Sequence, residues 1–148
     1  LTIPFKYYII GNGNKKQALQ QLIDELNMQD KIFLPGQKKQ PFAGMEDAAL
    51  FLMGSHYEGF PNVMLEAGIL GIPIVAFDVP GGINEIITNG ENGMLVKDND
   101  EAAFAKTVEK ALLTNFNRQL IQAKTKTNFS ANAIVKKTEQ LFQLLFNI

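Results

Sequence analysis

The sequence predicts an α/β fold: a parallel sheet with helices on both faces, followed by a helical carboxyl-terminal part. Three observations carry that expectation. The candidate strands are short, continuous apolar runs rather than alternating ones, as expected for strands covered on both faces. They alternate with segments of helical period, which favours crossover connections and parallel pairing. The chain has 148 residues, 46% apolar and 20% charged. A chain of that size closes one core and hides roughly 68–70% of its unfolded surface.

The elements follow in order. Lys6–Ile10 is a β-rich run stopped by Gly11-Asn12-Gly13. Lys15–Leu26 has apolar residues at Leu19, Leu22, Ile23 and Leu26, a helical spacing. Lys31–Leu34 is a second strand, ended by Pro35-Gly36, and Gln37–Gln40 is a polar, basic loop. A short helix is expected around Phe42–Asp47. Ala48–Met53 is apolar throughout and reads as a third strand buried on both faces.

Gly54–Phe60 is a loop, and Pro61 suits the first turn of a helix that runs to Leu70 and stops at Gly71. Pro73–Phe77 is the fourth strand, Asp78–Gly82 a turn and Ile83–Ile87 a short helix. Met94–Val96 is a fifth strand after the turn Asn89–Gly93. Asp100 is placed to cap a helix over Glu101–Leu113; helices over Asn115–Lys124 and Ser130–Phe146 complete the chain. No repeat, low-complexity tract or linker interrupts it, so residues 1–148 read as a single domain.

Composition excludes several classes. Fourteen Lys and Arg against fifteen Asp and Glu leave a net charge of −1, without the basic footprint of a nucleic-acid binder. The absence of cysteine removes disulfide scaffolds, thiolate metal sites and thiol nucleophiles. A single histidine removes a multi-histidine metal site. No apolar run approaches the roughly 18 residues that span a bilayer, and no signal peptide is expected from these residues. The chain opens Leu1-Thr2-Ile3-Pro4 without an initiator Met and reads as a truncated piece of a longer protein.

In a parallel α/β sheet, ligands sit at the carboxyl ends of the strands. Gly11-Asn12-Gly13 stands where a dinucleotide fingerprint would. Lys16 occupies the third glycine position, and no acid follows the second strand, so a tight turn is the better reading. The sharpest feature is Glu58-Gly59-Phe60-Pro61-Asn62-Val63-Met64-Leu65-Glu66. Glu58 lies just before a helix and Glu66 about one and a half turns into it. Between them is the helix start, with free N–H groups suited to an anion such as a diphosphate. A nucleotide-sugar offers the matching order of sugar hydroxyls, diphosphate and ribose hydroxyls, and carboxylates accept from paired hydroxyls. Glu66, flanked by Leu65, Ala67 and Ile69, is expected to be partly buried and to need donors. The plainer alternative is a loop acid and a solvated helix residue.

Other candidates are weaker. His56 beside Tyr57 reads as structural rather than as a base. Lys38 and Lys39 either face a phosphate or base or are simply solvated. Gly81-Gly82 and Gly90…Gly93 are turn glycines, the first pair at a strand's carboxyl end where a ligand can sit. Ile134, Leu141, Phe142, Leu145 and Phe146 form an apolar stripe, by default packed on their own domain and alternatively on a missing one.

Taken together, Ser55–Ala67 resembles the signature of retaining glycosyltransferases of family 4, built from two facing Rossmann-like domains (the GT-B architecture). The strand before Gly11-Asn12-Gly13, Leu34-Pro35-Gly36, Gly71–Ala76, Asn84–Ile87 and Gly90–Val96 are similar in order and spacing to that family's carboxyl-terminal domain. The resemblance implies that Glu58 sits at the transferred sugar and reacting centre, and that Glu66 holds the ribose. Asn62 and Val63 would meet the diphosphate through backbone N–H groups. Gly59 and Phe60 would shape the loop over the sugar, and Pro35–Lys39, with Gly36, Lys38 and Lys39, would lie beside the nucleobase. Pro61 departs from the glycine of many members and has no N–H to offer.

The family's basic Arg and Lys pair would precede Leu1, as would the amino-terminal acceptor domain and at least one strand of the sheet. The implied activity is sugar transfer from a UDP- or GDP-sugar to a hydroxyl acceptor, in polysaccharide or glycolipid synthesis. No cofactor or metal is implied, and the isolated chain would be inactive. The implied location is cytoplasmic, with peripheral contact at the inner membrane face through the missing domain. The alternatives are a sugar-nucleotide epimerase of related architecture and an inactive nucleotide-binding module.

Overall fold

The structure, a computed structural model, describes residues 3–146. The chain divides into two compact units, Leu1–Ala43 and Gly44–Ile148.

The first unit contains strand β1 (Tyr7–Ile10), helix α1 (Lys16–Glu25) and strand β2 (Ile32–Gly36). β1 and β2 pair in parallel, as the crossover through α1 requires. The pairing shifts register between Tyr8 and Ile10, so that Ile10 faces Gly36. β2 thus takes in Pro35 and Gly36, which the sequence had ending it. The irregularity lets the ladder pass a residue without an N–H. Gly36 adopts φ +81, and its carbonyl accepts from the Gly11 N–H at 3.0 Å.

The second unit contains β3 (Phe51–Met53), α2 (Asn62–Ile69), β4 (Ile74–Asp78), α3 (Ile83–Ile86) and β5 (Gly93–Lys97), then α4 (Glu101–Leu113), α5 (Arg118–Phe129) and α6 (Ala131–Phe146). Its sheet is parallel throughout, in the order β3-β4-β5. Ile74, Val75, Ala76 and Phe77 are all buried, so successive side chains on both faces of β4 are covered. The expected class, parallel α/β flanked by helices with a helical end, is what the chain forms, but with two separate sheets, β1-β2 and β3-β4-β5, in place of the one expected. Met64, Ile72, Ile74, Ile83, Ile121 and Val75 are the largest fully buried side chains and centre the core on β4.

Three glycines allow close approaches around α2 and β5. A Cβ on Gly68 of α2 would crowd Oγ1 of Thr125 on α5 at 2.6 Å. Gly71, at φ +73, ends α2 against the Arg118 backbone. Gly93 lies against the Ile74 backbone where β5 begins.

Several expectations need correction. No helix forms over Phe42–Asp47. Two separate turns form instead, with Ala43 N–H donating to Gln40 and Ala48 N–H to Met45, and Gly44 at φ +79 breaks any helical path. The Arg118 guanidinium takes the carbonyls of Glu46 and, at 3.1 Å, Ala48. β3 pairs only over Phe51–Met53 and is half-buried, not fully buried, because β4 is its sole partner among the described residues. Pro61 occupies the N-cap rather than the first helical turn, with ψ 90 and its carbonyl accepting from Met64 N–H at 2.9 Å. α5 begins three residues later than expected because the Asn117 side chain caps Leu120 N–H at 3.0 Å. It ends at Phe129, before Ser130, whose hydroxyl accepts from Ala133 N–H at 3.3 Å. The apolar stripe of α6 is exposed. α6 touches α5 through Lys137, which lies over the Phe129 ring, but no described residue of the helix is buried, so the stripe is not covered as the default had it.

Candidate functional site

The loop from Gly54 to Phe60 joins the carboxyl end of β3 to the start of α2. Two neighbours define its path. Gly81, at φ +124 beyond the carboxyl end of β4, lies so close to Glu58 that a Cβ would overlap the Glu58 carbonyl oxygen. Gly82 donates its N–H to the Gly59 carbonyl at 2.6 Å, and a Cβ there would strike the Phe60 ring. Only a residue without a side chain allows the β4–α3 turn to close on this loop. The doublet Gly81-Gly82 was legible as a turn at a strand's end; its grip on Glu58 was not.

Glu58 is half-buried and Glu66 exposed. The exposure of Glu66 corrects the expectation of partial burial. The buried stripe of α2 is Met64, Ala67 and Gly68. At 3.6 residues per turn Glu66 lies about 200° round the axis from Met64 and faces away from the core. Among the described residues no side chain pairs with either carboxylate. α2 opens without a side-chain cap. The N–H groups of Asn62 and Val63 therefore stay available at the positive end of the helix. Asn62 is exposed and Val63 half-buried; Gly59 and Phe60 are exposed, and the Phe60 ring meets Phe129 of α5 at 6.0 Å. One short segment thus brings together a carboxylate, free backbone donors and a second carboxylate.

His56, which the sequence read as structural, makes a contact that nothing in the sequence signalled. Its Nδ1 lies 2.7 Å from Asp98 Oδ1, and its ring stacks on Phe77 with centroids 5.5 Å apart. Across the β4–α3 turn, Asn84 of α3 donates to Oδ1 of Asp78 at the end of β4 at 2.8 Å.

The remaining candidates lie in the first unit. Lys38 and Lys39 are exposed and Gly36 is buried. A cavity of about 290 Å³ at the end of β1 is lined by residues including Gly11, Asn12, Gly13, Lys16 and Leu34. Lys16 Nζ donates to Asn12 Oδ1 at 3.3 Å beside it. Burial raises the Tyr7 hydroxyl above its ordinary value. Among the described residues no cluster of acidic or histidine side chains is placed to hold a metal ion, and no helix is long and apolar enough to cross a membrane.

The chain is similar in sequence, and to solved structures in fold, to several known proteins. The chain is 35% identical over 140 residues to an exopolysaccharide phosphotransferase of Streptomyces coelicolor, covering 90% of this chain and 15% of that one. It is 31% identical over 136 residues to N-acetylgalactosamine-N,N'-diacetylbacillosaminyl-diphospho-undecaprenol 4-alpha-N-acetylgalactosaminyltransferase of Campylobacter jejuni, covering 92% and 37%. A solved structure of an S. aureus TarM mutant with fondaparinux, alpha-GlcNAc-glycerol and UDP superposes with a TM-score of 0.77 at 29% identity, covering 93% and 29%. The chain thus spans well under half the length of each of these proteins. The model of the family described as glycosyl transferases group 1 matches residues 1–134. With that match over most of its length, and with the parallel α/β frame behind it, this chain belongs to the group 1 glycosyl transferase family.

Proposed function

We propose that this chain is the donor-binding, carboxyl-terminal domain of a retaining glycosyltransferase with two facing domains. The whole enzyme moves a sugar from a nucleoside diphosphate to a hydroxyl acceptor. The observation that carries the reading is the order along Glu58–Glu66: a half-buried carboxylate, an uncapped helix start and an exposed carboxylate. That order matches sugar, diphosphate and ribose.

In this reading Glu58 orients the transferred sugar and supports the positive charge that develops at its anomeric carbon. The N–H groups of Asn62 and Val63 meet the charge growing on the departing diphosphate. Glu66 accepts from the ribose hydroxyls, where exposure suits it. Gly59 and Phe60 shape the loop over the sugar. Gly36, Lys38 and Lys39 serve the nucleobase side of the donor. Backbone donors and cations supply the charge neutralisation, so no metal or other cofactor is required.

The TarM structure was solved with UDP, which favours a UDP-sugar over a GDP-sugar as the donor to try first. The names of the Streptomyces and Campylobacter relatives favour an acceptor in polysaccharide or glycolipid synthesis. The acceptor would be held by an amino-terminal domain beyond this chain, working on the cytoplasmic side and touching the membrane through that domain.

Titration of the full-length protein with UDP, GDP and ADP tests the reading. One nucleotide should bind selectively, and Glu66→Ala should weaken it about tenfold or more, of the order of a hydrogen-bonded carboxylate. Failure of all three to bind at millimolar concentration would overturn it. Incubation with donor alone tests the epimerase alternative, since only an epimerase makes a new nucleotide-sugar. Transfer should survive excess chelator.

A further inference from the structure

His56 reaches a partner far along the chain. Its Nδ1 meets Oδ1 of Asp98, the residue directly after β5, at 2.7 Å. The same carboxylate accepts the Asn99 N–H at 2.9 Å and the Asn99 side-chain amide at 3.1 Å, which fixes its orientation. An ionised carboxylate only accepts, so Nδ1 carries the proton and Nε2 is the nitrogen left over. The His56 ring stacks on Phe77 of β4 with an interplanar angle of 18°, and Phe77 in turn meets Phe104 of α4 at 4.8 Å. The imidazole is held at one edge by a polar contact and on one face by a buried aromatic ring.

These contacts secure the loop two residues before Glu58. One residue after Glu58, Gly59 is secured by the Gly82 N–H. Glu58 therefore sits between two attachments, one at the end of β5 and one beyond the end of β4. Neither uses its carboxylate.

We propose that Asp98 is a positioning residue: through His56 it holds the loop that presents Glu58, and so sets turnover rather than donor affinity. The inference rests on the role given to Glu58 under Proposed function. The affinity side follows from where the other groups stand. Asn62, Val63 and Glu66 belong to α2, which is anchored through Met64, Ala67 and Gly68 and does not depend on His56. Releasing the loop displaces the reacting carboxylate and leaves the helix donors in place. A displacement of about 1 Å at a reacting group costs on the order of 100-fold in rate.

The test uses the full-length protein and two readouts. The first is hydrogen exchange at the Gly82 amide, whose bond to the Gly59 carbonyl breaks when the loop lifts from the β4–α3 turn. Asp98→Ala should speed it about tenfold. Asp98→Asn, whose side-chain oxygen still accepts from Nδ1–H, should restore it. The second is UDP release from UDP-glucose and UDP-N-acetylglucosamine, with the Kd for UDP measured alongside. Asp98→Ala should lower kcat about tenfold or more and leave the Kd within about twofold; Asp98→Asn should recover most of kcat. His56→Ala should match Asp98→Ala, and the double variant should be no worse than either.

Unchanged Gly82 exchange in Asp98→Ala overturns the proposal, as does a UDP Kd that rises in step with the loss of kcat. So does an Asp98→Asn variant as impaired as Asp98→Ala. If Asp98→Ala lowers the melting temperature throughout, His56→Asn, which keeps a donor near the Nδ1 position, carries the same comparison. Glu58→Gln separates the two claims. Wild-type kcat in that variant removes the role of Glu58 and this inference with it. Lost kcat there beside unchanged kcat in Asp98→Ala removes only the positioning role. If neither donor is turned over, Gly82 exchange decides alone.

Discussion

The backbone of Gly81 rests against the carbonyl of Glu58, with no space between them for a Cβ. The turn after β4 therefore sets the position of the loop after β3, and a glycine outside the Glu58–Glu66 segment becomes part of its geometry.

Gly81→Ala tests that relationship. The residue stands at φ +124, where a side chain is strained by about 1–3 kcal/mol before any contact is counted. The overlap with Glu58 is with backbone and cannot be relieved by a rotamer. The variant should melt earlier and lose at least about tenfold in kcat. A variant with wild-type kcat would show that the turn does not position Glu58.

Glu58 and Glu66 should separate kinetically. Glu58→Gln in the full-length protein should lower kcat and kcat/KM together, as for an interaction made in the transition state. Glu66→Ala should raise the donor KM with kcat nearly unchanged, as for uniform binding. The reverse pattern would exchange their roles.

Lys38 and Lys39 are exposed, so their contribution to donor binding should be screened by salt. Replacing both with Ala should raise the donor KM several-fold at low ionic strength and much less at about 1 M salt, where the Debye length is about 3 Å. A KM unaffected at low salt would make them solvated surface.

The contact of α2 with α5 predicts a compensating pair. Gly68→Ala pushes a methyl group onto the Thr125 side chain, whose hydroxyl already donates to the Ile121 carbonyl at 2.8 Å. Overpacking of this kind costs about 1–3 kcal/mol. Adding Thr125→Ala should return part of that loss in chemical denaturation. Strict additivity of the two changes would place the strain elsewhere.

Tyr7 should make the protein sensitive to alkali. Its hydroxyl titrates above the ordinary value of 10.0 because burial disfavours the phenolate. The folded state thus holds the proton more tightly than the unfolded state. Stability from this group is intact below about pH 10 and lost as pH rises through the folded value. Tyr7→Phe should be less sensitive to alkali than wild type. Equal loss in both would assign the effect to other groups.

The residues themselves determined the alternation of strands and helices, the parallel pairing and the segment proposed to carry the site. Those features depend on local signals: apolar runs for strands buried on both faces, periodic spacing for helices, an asparagine or aspartate for a cap. Asp100 shows how well that works, since its side chain caps α4 through Ala103 N–H at 2.8 Å, where the sequence placed it. Element ends were less legible wherever a distant group competed for the backbone. Arg118 takes carbonyls near Ala48, 70 residues away, and no helix forms there.

The burial of single side chains was decided by the tertiary structure. Glu66 has apolar neighbours in sequence yet faces outward, because the covered side of a helix is chosen by what packs on it. The two attachments of the Glu58 loop, Asp98 through His56 and the Gly81-Gly82 turn, join residues brought together only at the ends of adjacent strands. Local sequence specifies which conformations each segment prefers. Which side chains meet at the carboxyl edge of a sheet is specified only once the strands are ordered, and that order belongs to the folded chain as a whole.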